Sequence, residues 1–172
     1  MKKIEYIFFR LLHIFIGLMP FRCLYIFSDV CSFILYHLIR YRRNTVYENL
    51  RRSFPEKSND ELKRIIHKFY KNLCDVSLES MKGHSLSTAE LLKRYKCLNP
   101  EVANHYFEER QSVIFALSHY ANWEWGTQVA GSIFMHKAIS FYKPLSNKYI
   151  DKYLLDYRAT RGMELYSIYQ TK

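Results

Sequence analysis

One short segment places a histidine and a carboxylate at a spacing that could activate a hydroxyl group. His119 and Glu124 are five positions apart, and residues five apart in a continuous helix point about 140° away from each other. We therefore expect His119 in a loop and Glu124 in the first turn of a helix. The carboxylate could then hold one imidazole nitrogen while the other takes a proton from an alcohol. The same spacing fits a surface histidine beside a helix-capping glutamate.

The segments around this pair predict a strand, a loop and a helix. Residues 112–117 form a short, continuous apolar run, which is typical of a strand covered on both faces. A polar loop follows, and a helix is predicted from Trp123 to about Phe134. In open α/β sheets, ligands bind beyond the carboxyl ends of strands. The predicted topology therefore places His119 where a substrate could bind.

The remaining chain predicts a β-α-β sheet with covering helices. A second strand is expected at Ala138–Tyr142, a helix at 147–161 closed by Gly162, and a third strand at 163–168. Alternation of strands and helices favours an α/β fold. Further helices are predicted at 42–53, after the capping patterns that begin at Ser58 and Ser87, and at 101–110.

The N-terminal residues predict a membrane-associated segment. Residues 4–40 comprise two apolar runs separated at Pro20 and interrupted by a few charged groups. We expect two helices embedded in a membrane or lying on its inner face, with a single span as the alternative, because Asp29 would be costly inside a bilayer. The cluster Arg40, Arg42 and Arg43 would lie at anionic headgroups. The predicted domains are a helical anchor, 1–40, and a partial catalytic domain, 41–172.

The composition of the chain limits the class of protein and the kinds of partner it could have. Apolar residues make up 49% and aromatic residues 17% of the 172 positions, which excludes a disordered chain. From the net charge of +10 we expect an anionic partner, and nucleic acid, an anionic membrane and an acidic protein all qualify. Four cysteines at irregular spacing predict reduced thiols and no zinc site.

The segment Ser118–Glu124, which reads SHYANWE, resembles the signature of the bacterial lipid A biosynthesis acyltransferases. In that family the segment usually reads His-x-Gly-Asn-Trp-Glu, so Ala121 stands where glycine is usual. Members usually run longer than this chain, and the resemblance implies a C-terminally truncated catalytic domain. Other segments resemble the family in the same order along the chain: Tyr41–Asn44, Glu48–Arg52, Phe54–Glu56, Phe69–Leu73, Tyr142–Leu145 and Asn147–Tyr149.

The resemblance implies transfer of a fatty acyl group from acyl carrier protein to a hydroxyl of a phosphorylated glycolipid, at the cytoplasmic face of the inner membrane. It assigns His119 as general base and Glu124 as the residue that orients it. Asn122 and the backbone at Trp123 would bind the developing oxyanion, and Arg158 would bind an acceptor phosphate. No metal, cofactor or nucleic acid is implied.

Three alternatives remain open. The histidine–acid motif is shared with glycerolipid acyltransferases acting on lysophospholipids. A non-catalytic basic protein on a membrane or nucleic acid would explain the charge without His119. An inactive, membrane-bound fragment of an acyltransferase would also retain these motifs.

Two of the site residues also have alternative roles. Asn122 equally fits a helix cap, and Arg158 equally fits a solvated cation on a helix.

Overall fold

The computed structural model describes residues 1–170, which form a mixed α/β chain that is mainly helical. The α-helices are α1 (Lys2–Leu18), α2 (Phe21–Phe33), α3 (Arg43–Ser53), α4 (Asn59–Gly83), α5 (Thr88–Arg94), α6 (Glu101–Glu108), α7 (Trp123–Ile133) and α8 (Lys148–Ala159). A π-helix, Ile34–Ile39, continues α2. The strands are β1 (Ala138–Tyr142) and β2 (Met163–Ser167).

The two predicted N-terminal helices are confirmed. They are separated by Pro20, which has the extended backbone angles φ −59° and ψ 148°, and a proline has no N–H with which to continue a helix. Within the described residues, Phe21–Ile39 is the one helical stretch that is long and apolar enough to cross a membrane, by length and composition alone.

Residues 19–79 form one compact unit. Its core contains Tyr36, Ile66 and Tyr70, which lie on the π-helix and α4. The Lys71 ammonium donates to the Asp29 carboxylate at 2.6 Å, which attaches α4 to α2. The predicted division into a membrane-associated anchor, 1–40, and a partial catalytic domain, 41–172, stays a prediction.

The capping pattern at the start of α4 is confirmed. Glu61 accepts from the Ser58 backbone N–H at 2.9 Å, and the Ser58 hydroxyl accepts from the Glu61 N–H at 3.3 Å. This reciprocal pair satisfies backbone groups that the first turn leaves without partners. Phe69 lies outside the buried face of α4 and is exposed. The buried positions recur every four residues: Leu62, Ile66, Tyr70, Cys74 and Leu78.

Among the described residues, the second compact unit contains 1–18 and 80–170, and it includes a β-α-β motif. Strands β1 and β2 are parallel, with Ala138 opposite Met163 and Tyr142 opposite Ser167. Helix α8 connects them and packs against α1 and β2, while α7 packs against α5 and β2. Gly162 lies between α8 and β2 at φ 77°, in the left-handed region that glycine adopts without steric cost.

The strand predicted at 112–117 is wrong, because these residues adopt no regular structure. Within the described chain, β1 and β2 pair only with each other, so the run has no hydrogen-bonded neighbour. Its side chains are also uncovered: Ile114 is 97% exposed and Leu117 is 78% exposed. An apolar run indicates a tendency to be buried, but a strand also needs a partner for its backbone groups.

Candidate functional site

The predicted site residues lie in the unit that contains β1 and β2, around the start of α7. His119 belongs to an irregular loop, Asn122 is the residue that caps α7, and Glu124 lies in the first turn of that helix. This matches the expected arrangement of a loop histidine followed by a helical carboxylate. The backbone turns at Ala121, whose φ is 49°, in a region that costs an L-residue about 1–2 kcal/mol.

Asn122 caps α7 with its side chain. Its Oδ1 accepts from the Trp125 N–H at 3.3 Å and from the Ser80 hydroxyl at 3.4 Å. Asn122 is buried, and asparagine is among the favoured residues at this position because it satisfies a backbone donor of the first turn. The helix-capping role is therefore present. The expected role in binding an oxyanion stays a prediction.

Glu124 is buried and held by Arg158. Its side chain is 8% exposed and that of Arg158 is 24% exposed. Glu124 Oε1 accepts from Arg158 Nε at 3.0 Å and from Nη2 at 2.8 Å, and Nη2 also reaches Oε2 at 3.0 Å. Such a forked pair fixes both the position and the plane of the carboxylate. The sequence assigned Arg158 to an acceptor phosphate and gave no sign of this pairing.

The His119 ring packs against Trp123 rather than against Glu124. The two ring centroids are 4.8 Å apart with an interplanar angle of 71°, and His119 is exposed. Among the hydrogen bonds and ion pairs of the described residues, none joins His119 to Glu124. The predicted contact between imidazole and carboxylate is thus absent from this arrangement, although the two residues flank the same helix start.

Further hydrogen bonds between polar side chains connect α8 to α7. The Tyr157 hydroxyl donates to Gln128 Oε1 at 3.1 Å or to the Gly83 carbonyl at 3.2 Å. Arg161 in turn donates to the Tyr157 hydroxyl at 3.0 Å. Gln128 lies one turn after Glu124, and Tyr157 directly precedes Arg158, so this contact supports the forked pair. Sequence reasoning missed both residues, although Gln128 shares a helix face with Glu124.

Two histidines form a partly buried contact in the same unit. His84 Nδ1 lies 3.0 Å from His13 Nε2, which is also 3.0 Å from the Met81 carbonyl oxygen. Burial, followed by the nearby His13, Arg158 and Arg161, lowers the pKa of His84 to about 3. The His84 ring also packs against the Tyr157 ring, with centroids 4.1 Å apart and an interplanar angle of 57°. Hydrophobic periodicity alone gave no sign of this pair, since its members lie 71 positions apart.

The arrangement can orient a base beside helix N–H donors. Glu124 offers a carboxylate that is fixed from one side, and Oε2 accepts only one of the three bonds from Arg158, which leaves lone pairs for another donor. The N-terminus of α7 presents backbone N–H groups that favour negative charge. In the described part of the chain, no three His, Cys, Asp or Glu side chains are grouped to hold a metal ion.

Comparison with known proteins gives one match. The family model described as bacterial lipid A biosynthesis acyltransferase matches residues 3–168, which is nearly the whole chain and includes every site residue named above. No curated protein and no solved structure matches the sequence.

Proposed function

The chain belongs to the bacterial lipid A biosynthesis acyltransferase family, and we propose that it moves a fatty acyl group from acyl carrier protein to a hydroxyl of a phosphorylated lipid A precursor. Family membership makes the chain an acyltransferase of lipid A biosynthesis. The donor, the acceptor and the roles of individual residues are our proposal. The observation that carries the proposal is the set of three hydrogen bonds from Arg158 to the buried carboxylate of Glu124. This carboxylate lies at the start of the helix that follows His119.

His119 acts as the general base. Its ring nitrogen takes the proton of the acceptor hydroxyl while the oxygen attacks the thioester carbonyl carbon. The carbon–sulfur bond then breaks, and the leaving thiolate recovers the proton from the imidazolium. This sequence requires no acyl-enzyme, since the acceptor oxygen is itself the nucleophile. General-base assistance of this kind typically contributes a factor of about 10²–10⁴ in rate.

Glu124 orients His119 in the reacting complex. Arg158 occupies one side of the carboxylate, which leaves Oε2 with capacity to accept from the imidazole. His119 must leave its contact with Trp123 to reach it, and the irregular loop before α7 permits that movement. Hydrogen bonds of this kind are often absent before substrate binds. Substrate binding would thus complete the pair.

The α7 N-terminus stabilises the oxyanion formed during attack. The Trp123 backbone N–H belongs to the first turn, where N–H groups have no partner within the helix. Arg158 Nη1 has no hydrogen bond among the described residues, and it is available to an acceptor phosphate beside the site. These assignments keep the expected substrate-binding roles of Trp123 and Arg158, and the expected role of Asn122 beside the same helix start stays a prediction.

We place the enzyme at the cytoplasmic face of the inner membrane. Helix α1 supports contact with a membrane because its large exposed side chains lie along one face, and the opposite face packs into the same unit as the site. The exposed side chains are Ile4, Ile7, Phe8, Leu11, Ile14, Phe15 and Leu18. A lipid acceptor and an apolar helix face would meet at the same surface.

Mass spectrometry of lipid A tests the proposal. A strain that lacks the gene is complemented with the wild-type chain, His119→Ala or the neighbouring control Tyr120→Phe. We expect deletion to remove one acyl chain, and wild type and Tyr120→Phe to restore it, while His119→Ala does not. Restoration by His119→Ala would refute the role of the histidine. If deletion leaves lipid A unchanged and alters the phospholipids instead, the lipid A acceptor is wrong and the acceptor is a glycerolipid.

A further inference from the structure

Three arginines follow directly on an exposed apolar helix in the unit of residues 19–79. The π-helix ends at Ile39, and Arg40, Arg42 and Arg43 come next, before and at the start of α3. They line a cavity of about 620 Å³ together with Asn44 and Thr45. Three like charges within four positions repel one another, so the cluster is most stable with an anion among them.

The backbone of this segment is fixed in an uncommon form. Arg40 and Arg42 both have left-handed angles, with φ 55° and φ 50°. The Tyr41 N–H donates to the Leu35 carbonyl at 3.0 Å, and the Tyr41 carbonyl accepts from the hydroxyl of buried Tyr70. These bonds hold the segment against α4, so the arginines are displayed by a fixed turn.

The guanidinium groups have no anionic partner within the described residues. No ion pair of the described chain includes Arg40, Arg42 or Arg43. Arg43 is placed by an aromatic contact, with its Cζ 4.6 Å from the centroid of the Tyr36 ring. Guanidinium groups match the oxygens of a phosphate with paired N–H donors. The cavity therefore fits a phosphate group.

The adjoining helix indicates where that phosphate comes from. Large apolar side chains on α2 and the π-helix are exposed up to the last residue before Arg40: Ile26, Val30, Phe33, Leu38 and Ile39. A cationic cluster next to an exposed apolar helix lies at headgroup depth when the helix enters a bilayer. A nucleic acid would meet the charge but leave the apolar surface uncovered. We propose that Arg40, Arg42 and Arg43 bind the phosphate of an anionic phospholipid headgroup.

This site is independent of the catalytic proposal, because it uses residues of the other compact unit. Vesicle binding by the full chain tests it, with phosphatidylcholine vesicles that contain or lack phosphatidylglycerol. The variant Arg40→Asn/Arg42→Asn removes two charges, and asparagine tolerates left-handed angles. The matched control Arg52→Gln/Lys68→Gln removes two exposed charges of the same unit, outside the cavity.

We expect the Arg40→Asn/Arg42→Asn variant to bind phosphatidylglycerol vesicles at least tenfold more weakly than wild type, and the control less than threefold more weakly. Equal losses in the two variants would overturn the site, since the effect would then follow total charge alone. Thermal melts in inorganic phosphate separate the sources of phosphate. Suppose inorganic phosphate raises the melting temperature of wild type but not of the Arg40→Asn/Arg42→Asn variant, while the two proteins bind vesicles equally well. That result would overturn the lipid assignment in favour of a soluble phosphate.

Discussion

Arg158 donates three hydrogen bonds of 2.8–3.0 Å to the carboxylate of Glu124, and this contact joins α8 to the first turn of α7. The carboxylate is nearly buried and the guanidinium is largely so. Burying a charge without its partner costs several kcal/mol, whereas the intact pair contributes little net stability. The pair thus fixes geometry at the candidate site more than it stabilises the fold.

A double-mutant cycle on this pair should show strong coupling. We expect Arg158→Met alone to lower the free energy of unfolding by about 2–3 kcal/mol, because Glu124 is left buried and unpaired. Adding Glu124→Gln should recover part of that loss, with a coupling energy of about 1–3 kcal/mol in denaturant titrations.

The exposed pair Lys152–Asp156 on α8 is the matched control for the cycle. Its side chains are 78% and 63% exposed, and such pairs contribute about 0.5 kcal/mol or less. Lys152→Met and Asp156→Asn should therefore be nearly additive. Equal coupling energies in the two cycles would show that burial does not make the Arg158–Glu124 pair more strongly coupled than the exposed pair.

Local signals in the sequence predicted most elements of the fold but not their partners. The capping pattern at Ser58 specifies hydrogen bonds within three residues, and the residue types at 138–142 indicate a strand; both predictions are confirmed. The partner of that strand, residues 163–167, lies 25 positions further along the chain. The run at 112–117 needed a neighbouring strand, which periodicity cannot supply. The prediction there was wrong for that reason.

The candidate site was predicted by residue type but not by contact. His119 and Glu124 lie five positions apart, so their placement in loop and helix followed from local geometry. Arg158 lies 34 positions from Glu124, and an arginine near a phosphorylated substrate was the simpler interpretation. A forked ion pair depends on how α8 packs, which no local pattern encodes.

Ala121→Gly should stabilise the protein. The φ of 49° at Ala121 costs an alanine about 1–2 kcal/mol that a glycine does not incur, and the added freedom of the unfolded chain offsets part of the gain. We expect the free energy of unfolding to rise by about 0.5–1 kcal/mol. The control Ala130→Gly, inside α7, should lower it by about 1 kcal/mol. A loss of stability in both variants would contradict a left-handed angle at Ala121.

Stability should decline as pH falls below 6.5, through His84. Its pKa is about 3 in the folded protein against 6.5 ordinarily, so between these values the unfolded chain binds a proton that the folded chain does not. The free energy of unfolding then decreases by up to about 1.4 kcal/mol per pH unit on acidification. Denaturant titrations of His84→Gln should show a shallower pH dependence. A slope unchanged by His84→Gln would exclude this histidine as the cause.

Charges placed on the exposed face of α1 should release the protein from membranes without unfolding it. Phe8 and Leu11 are 69% and 62% exposed, so glutamate at both positions removes apolar surface that is mostly uncovered in the described chain. Burial of such a side chain contributes about 1.5–3 kcal/mol when complete, and we expect vesicle binding at least tenfold weaker with an unchanged melting temperature. The control Leu98→Glu/Val102→Glu alters two exposed apolar residues of the same unit. It should bind like wild type, whereas equal weakening by both double variants would show that the face of α1 has no special role.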